Sequence, residues 1–199
     1  MNNNWPNEIE HQYEKAAELY YSDKYADALA LLEPLATIGY PPAFYIMASY
    51  QYNYGDREIA KAWLARLEAA AAKPDAQACF LCHHAFRVGW SGGDFETYER
   101  IGSDYLRRAA ELGHDHAQFM LAMEHQSGAN GQAKDESLFQ HWITKAVDAG
   151  NEDAIYHYVK YLANKRRPIP PDLIADMEAL AKDYPNAAKL LARIKRNPR

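Results

Sequence analysis

The chain has 199 residues and a mass of 22.7 kDa, of which 48% are hydrophobic and 25% charged. That is enough for one domain, or two small ones, to bury a core without disulfides or metals. Its 22 Lys and Arg against 27 Asp and Glu leave a net charge of −5, which argues against a general nucleic-acid binder.

Apolar periodicity predicts helices along the whole chain and almost no strand. Residues 7–21 form the first, with Ile9, Tyr13, Ala16, Ala17 and Tyr20 on one face. A break at Ser22 and Asp23 leads to a second helix at about 24–37, with Ala28, Leu31, Leu32 and Leu35 inward. Gly39 stops it, in the C-terminal position where a left-handed backbone favours glycine. Pro41 and Pro42 open the next helix, because proline suits a first helical turn. Further helices are expected at about 42–53, 57–71, 75–88, 94–112, 115–126, 135–149, 152–164, 171–183 and 186–196. Asp56, Asp75, Asp94, Asp115 and Asp135 stand near helix starts, as N-caps or first-turn acids should. Eleven helices with short connections make an all-α chain.

The opening Met1-Asn2-Asn3-Asn4-Trp5-Pro6 has neither a positive nor an apolar region, so no signal peptide is expected. No run of 18 apolar residues occurs, so no membrane-spanning helix is expected. Cys79 and Cys82, three residues apart on a helix, are a poor disulfide pair, and a reduced cytoplasm is the expected location.

Comparison of the chain with itself shows a repeat. Tyr105-Leu106-x-Arg108-Ala109-x-x-x-Gly113-x-x-x-Ala117-x-x-x-Leu121 returns 37 residues later as Trp142-Ile143-x-Lys145-Ala146-x-x-x-Gly150-x-x-x-Ala154-x-x-x-Tyr158. Leu31, Leu32, Leu35, Gly39, Ala43 and Met47 keep the same spacing, and Trp63, Arg66, Ala76 and Phe80 repeat it with one residue slipped. Small residues at Ala43, Ala76, Ala117 and Ala154 let one helix lie close against its neighbour. A helix pair of this length cannot bury its apolar face alone, so the pairs must stack.

This pattern resembles the Sel-one-like repeat (SLR) family, relatives of the tetratricopeptide repeats. Asp135, Trp142, Lys145, Ala146, Gly150 and Ala154 match the family unit, as do Ala109, Ala110, Gly113, Ala117, Leu121 and Gly128. Asp56, Ala60 and Trp63 match its second-helix half, while Tyr25, Ala28, Leu32 and Leu35 look more tetratricopeptide-like. The chain departs from the unit where glycine is replaced by Ala48, Leu81, Ala122 and Val159, and tyrosine by Gln51, His84, His125 and Leu162. The resemblance implies a right-handed α-α superhelix, a solenoid of helical hairpins over about 10–164, with capping helices at about 171–196 in a single domain 1–199.

Chemistry-bearing motifs are few. Cys79-Phe80-Leu81-Cys82-His83 has the C-x-x-C-H form of haem attachment, but its cysteines fall inside a helix, where they serve as small apolar groups. Zinc on Cys79, Cys82 and His83 would need a further ligand knuckle. His114-Asp115-His116 and His125 are read as solvated polar residues rather than metal ligands, and Ser91-Gly92-Gly93-Asp94 as a loop without the lysine of a phosphate cradle. No nucleophile elbow or metalloprotease string occurs. No catalytic, cofactor or metal residue is assigned, and a metal- or redox-dependent enzyme built on Cys79, Cys82 and His83 is the weakest alternative.

Binding features are richer. Tyrosine supplies 15 residues, with Tyr40, Tyr45, Tyr50, Tyr52 and Tyr54 crowding one segment. Such side chains serve either interfaces or packing between repeats. The charge is polarised, since residues 1–153 hold 12 basic and 23 acidic side chains against 10 and 4 in residues 154–199. The basic end contains Lys165-Arg166-Arg167 and Lys195-Arg196-Asn197-Pro198-Arg199, read as a solvated loop and tail or as a contact for an acidic partner.

The resemblance further implies that first helices line a concave face. Counting along them points Tyr45, Ser49, Tyr52 and Asn53 inward, then Cys82 and Phe86, then His116, Phe119 and Met123, and finally Tyr156 and Lys160. SLR proteins act as adaptors and scaffolds, and short bacterial ones include immunity proteins that neutralise a toxin. The expectation is therefore a non-catalytic module that binds a basic protein, most specifically a toxin or effector domain, with an adaptor as the alternative. Neither nucleic acid nor membrane is an expected partner, and monomer and homodimer both remain open.

Overall fold

The computed structural model describes residues 5–90, 94–130 and 133–196. Within them lie α1 (Asn7–Tyr21), α2 (Tyr25–Thr37), α3 (Pro41–Tyr54), α4 (Arg57–Ala71), α5 (Ala76–Arg87) and α6 (Phe95–Glu111). These are followed by α7 (Asp115–Ser127), α8 (Glu136–Asp148), α9 (Glu152–Asn164), α10 (Pro171–Leu180) and α11 (Pro185–Arg196). Among the described residues there is no strand. The glycine-rich string at 91–93, the opening residues 1–4 and the tail residues 197–199 lie outside the described residues.

Local chemistry explains the boundaries. Asp56, Asp75, Asp94 and Asp135 cap α4, α5, α6 and α8, each accepting from a backbone N–H of the first turn. Asp115 is instead the first residue of α7, where it complements the helix dipole. Asn151 caps α9, accepting from Ala154 N–H at 2.9 Å. At the other ends, Gly39 adopts φ +92°, and Tyr40 N–H donates back to Leu35 O at 3.0 Å. This is the Schellman closure that a left-handed residue permits. Gly113 and Gly150 close α6 and α8 with the same pair of backbone bonds.

Two compact units divide the chain inside α7, at Ala117 and Gln118. In the first, consecutive helices from α1 to α6 pack as neighbours, and α1, α3 and α5 also touch in succession, making one layer. Its core is aliphatic and small: Leu32, Leu35, Ile46, Leu67, Cys79, Cys82 and Leu106 are all essentially inaccessible. Burying each leucine contributes roughly 1.5–3 kcal/mol. Of the small residues expected at helix crossings, Ala43, Ala117 and Ala154 are fully buried, whereas Ala76 is partly exposed at the start of α5. Gly102 serves a close approach that the repeat spacing does not reveal. A Cβ there would come within 3.3 Å of Arg87 and 3.6 Å of the His83 carbonyl, so α5 and α6 meet tightly because position 102 has no side chain.

The second unit pairs α8 with α9, α9 with α10 and α10 with α11, and α11 returns to α9. Phe139, Ile143, Val159 and Met177 form its centre, each no more than 1% exposed. Tyr161 packs edge-on to Phe139 at 4.6 Å while its hydroxyl donates to Glu136. Among the described residues no helix is long and apolar enough to cross a membrane.

Candidate protein-binding surface

The tyrosines of α3 fall into two groups because a helix turns 100° per residue. Tyr45 and Tyr52, seven residues apart, share a face. Trp90 comes to that face from beyond α5. Gly89 at φ +76° lets the chain turn back, and Trp90 N–H donates to Ala85 O at 3.1 Å. The indole then lies 5.0 Å from the Tyr45 ring and 6.0 Å from the Tyr52 ring. Arg57 covers Tyr52, its guanidinium carbon 5.0 Å from the ring centroid.

Ser49, on the same helix, links this face to α1, for its hydroxyl and that of Tyr20 are 3.0 Å apart. Asn53 donates to the Ser49 carbonyl at 2.9 Å. The second group gathers around Tyr25 at the start of α2. Its ring lies 5.4 Å from Tyr20, 5.5 Å from Tyr50 and 4.9 Å from Tyr54. The Tyr25 hydroxyl donates to Asp23 at 2.6 Å and stands 3.1 Å from the Tyr54 hydroxyl. Tyr21 joins through Tyr20 at 5.5 Å. Within this cluster Tyr21 is 76% exposed and Tyr54 62%, although both are large aromatic side chains.

Burial raises the pKa of Tyr20 and Tyr45, and it pushes Tyr13, on α1, to about 12, with nearby phenols adding to the effect. The hydrogen bond to Asp23 raises that of Tyr25, since it favours the protonated phenol. These hydroxyls are therefore neutral across the physiological range and able both to donate and to accept.

The remaining expected residues are placed as follows. Phe86 is only 5% exposed and packs against Tyr105 at 5.5 Å, within the α5–α6 interior. His116 lies edge-on to Phe80 at 5.6 Å in the first unit. In the second, Phe119 meets His157 at 5.3 Å, and Tyr156 meets the same imidazole at 5.4 Å. The Lys160 ammonium sits 5.6 Å from the Tyr156 ring. Met123 is half-buried on α7. Tyr20, Tyr21, Tyr25 and Trp90 were not among the expected binding residues.

The histidines also differ from the solvated residues expected. His114 stacks on Phe80 with centroids 4.1 Å apart, and its Nε2 is 2.9 Å from Gln77 Oε1. Its Nδ1 accepts from Ala117 N–H, so the proton is on Nε2. His125 is 9% exposed. His83 is 1% exposed, its Nδ1 2.8 Å from the Gly102 carbonyl, which fixes the proton on Nδ1. Burial lowers His83 and His114 to about 4. Cys79 and Cys82 are fully buried, Cys79 donating to Ala71 O at 3.5 Å, and burial raises both thiols. Among the described residues no three His, Cys, Asp or Glu side chains are grouped to hold a metal ion.

No protein-family model matches the sequence, and no curated protein matches it. Solved structures do. The chain is similar to a Sel1 repeat protein from Oxalobacter formigenes, at 23% identity and a TM-score of 0.65, over 84% of this chain and 49% of that one. It is likewise similar to a protective antigen with an SLR fold, present in uropathogenic Escherichia coli strains. There the identity is 17% and the TM-score 0.61, over 94% of this chain and 41% of the antigen. The chain thus spans about half the length of the first and two-fifths of the second. Its fold is that of the Sel1-like repeats, an all-α solenoid class of consecutively paired helices.

Proposed function

We propose that this chain is a non-catalytic protein-binding module whose first unit holds its partner on the tyrosine face of α1, α2 and α3. The observation that carries this reading is the exposure of Tyr21 and Tyr54, 76% and 62%, within a continuous cluster that includes Tyr20, Tyr25 and Tyr50. Aromatic rings joined to one another lose little side-chain entropy on binding, and each offers a large apolar area with a hydroxyl at its edge. Residues 1–117 carry 10 basic and 17 acidic side chains, so a partner of basic character is favoured.

The most specific form of the proposal is an immunity protein that neutralises a basic toxin or effector domain by covering its functional surface. An adaptor is the second reading. It is supported by the separate aromatic group of Phe119, Tyr156 and His157 in a unit whose residues 118–199 carry 12 basic and 10 acidic side chains.

The deciding experiment starts from a tagged pull-down in the native cell and reconstitutes the partner found with purified proteins. The expected outcome is one equimolar complex that survives gel filtration, blocks the partner's toxicity and is weakened at least about tenfold by Tyr54→Ala. Two partners bound at once on separable faces would support the adaptor form. An unchanged affinity in both Tyr54→Ala and Tyr21→Ala would overturn the tyrosine face itself.

A further inference from the structure

The basic end of the chain builds a site of a different kind, wholly within the second unit. The last turn of α9, the segment 165–170, α10 and α11 enclose an open pocket of about 710 Å³. Ile169, Ile174 and Ile194 supply apolar lining, while Arg166, Arg167, Arg193 and Lys195 supply cations. Two of these cations are already matched. Arg167 pairs with Glu136 at 2.7 Å and Lys195 with Glu178 at 2.7 Å. Arg193 donates to the neutral amide oxygen of Asn164 at 3.2 Å, which orients the guanidinium without cancelling its charge. Arg166 has no ion pair among the described residues.

The backbone at Arg166 adds a second observation. Its N–H donates to Ala163 O, and Arg167 N–H donates to Leu162 O, closing α9 with the same pair of bonds that closes α2, α6 and α8. Those three helices place Gly39, Gly113 and Gly150 in the left-handed position; Asp23 takes it after α1 at φ +61°, and here Arg166 occupies it at φ +56°. A side chain there costs backbone energy that glycine avoids. Basic residues past a helix end also offset its dipole, yet that role requires neither a left-handed arginine nor three isoleucines beside it.

We propose that this pocket binds an acidic segment of a partner protein. One aliphatic side chain of the segment rests on Ile169, Ile174 and Ile194, and its flanking carboxylates meet Arg166 and Arg193. Charge complementarity selects an acidic ligand. The isoleucines are only partly exposed, so the apolar group must reach in, as a side chain does and a bilayer surface does not. The site is independent of the tyrosine face and differs from it in the charge of its partner.

The test uses the full chain and a fluorescein-labelled peptide in which leucine is flanked by aspartate and glutamate, read by fluorescence anisotropy. Saturable binding that weakens as salt rises is expected. Arg193→Glu should weaken it at least about tenfold, and alanine in place of the peptide's leucine about fivefold. Arg166→Gly should also weaken binding about fivefold while leaving the melting temperature unchanged or higher, which separates lost recognition from lost folding. Tyr54→Ala should leave peptide affinity intact.

A lysine-rich control peptide that binds equally well would overturn the proposal, as would an Arg193→Glu variant of unchanged affinity. Co-sedimentation with phosphatidylserine vesicles by a chain that ignores the peptide would overturn it in favour of a lipid surface. A dimer dissolved by Arg193→Glu, again without peptide binding, would overturn it in favour of a second copy of the chain.

Discussion

Arg108 on α6 donates from Nη2 to the carbonyl of Ala71 at 2.8 Å, closing the last turn of α4. Arg66 on α4 does the same to Ala36 at the end of α2, also at 2.8 Å. In the first unit α4 is therefore tied to the C-terminal end of α2, and α6 to that of α4. The bond is charge-assisted and reinforces a helix-end carbonyl, where Ala36 O also accepts from Gly39 N–H and Ala71 O from the Cys79 thiol. Arg66 gains further contact by lying 4.5 Å from the Phe44 ring and 4.6 Å from that of Trp63.

Arg108→Ala should lower unfolding stability by about 1–2 kcal/mol, because a bond to a charged donor is lost at a partly buried acceptor. Arg66→Ala should cost at least as much through its ring contacts. Urea titrations followed by far-ultraviolet circular dichroism would measure both. Midpoints equal to that of the parent chain would show that the arginines are spectators.

Acid should loosen the first unit through its buried imidazoles. His83 and His114 hold pKa values of about 4 in the fold, lowered mainly by burial, against about 6.5 when unfolded. The unfolded chain thus binds more protons between these values. The stability they contribute is fully present above pH 6.5 and falls as pH drops towards 4, by at most ~1.4 kcal/mol per pH unit for each histidine. Melting temperatures between pH 7 and pH 4.5 would show the decline, and His114→Gln should make it shallower. A flat profile across that window would contradict it.

The alanines of the repeat set helix spacing, and Ala154 on α9 is fully buried. Replacing it with leucine adds three carbons where no space exists. Ala154→Leu should destabilise the chain by about 1–3 kcal/mol. Ala76→Leu, at a partly exposed position, should cost much less. Equal effects at the two sites would mean that the shared spacing carries no packing constraint.

Legibility in the sequence follows the range of the interactions involved. Every helix in the described residues lies within three residues of its expected bounds at either end, because caps, prolines and apolar periodicity act locally. Asp56, Asp75, Asp94 and Asp135 could be read as caps from position alone. The tyrosine face was only half legible. Helical counting put Tyr45, Ser49 and Tyr52 on one side of α3, but it could not say that Trp90, beyond α5, would stack there. Nor could it gather Tyr20, Tyr25 and Tyr54 from three helices into one cluster. Counting finds the side of a helix that Phe86 shares with its neighbours, but not how deeply α6 covers it. A local sign of that approach is Gly102, where an added Cβ would press on Arg87 at 3.3 Å.

The two cysteines supply a test of interior rigidity. Cys79 and Cys82 are inaccessible, and burial raises both thiols, so neither presents a thiolate to reagent near neutral pH. Ellman's reagent should label neither in the native chain and both in denaturant. Fast labelling under native conditions would reveal local opening of α5.

Exposure and burial within the tyrosine face separate binding from folding. Tyr54 is 62% exposed, so Tyr54→Ala should change stability by less than about 0.5 kcal/mol. Tyr45 is only partly exposed and rests on Trp90 at 5.0 Å, so Tyr45→Ala should cost about 1–3 kcal/mol. Tyr52 stands between these cases, in contact with both Trp90 and Arg57. Its replacement with alanine should weaken partner binding by more than it weakens folding. Melting curves and calorimetric titration on the same three variants would rank them. If Tyr54→Ala melts as early as Tyr45→Ala, the exposed tyrosines hold the fold together, and their surface is not kept free for a partner.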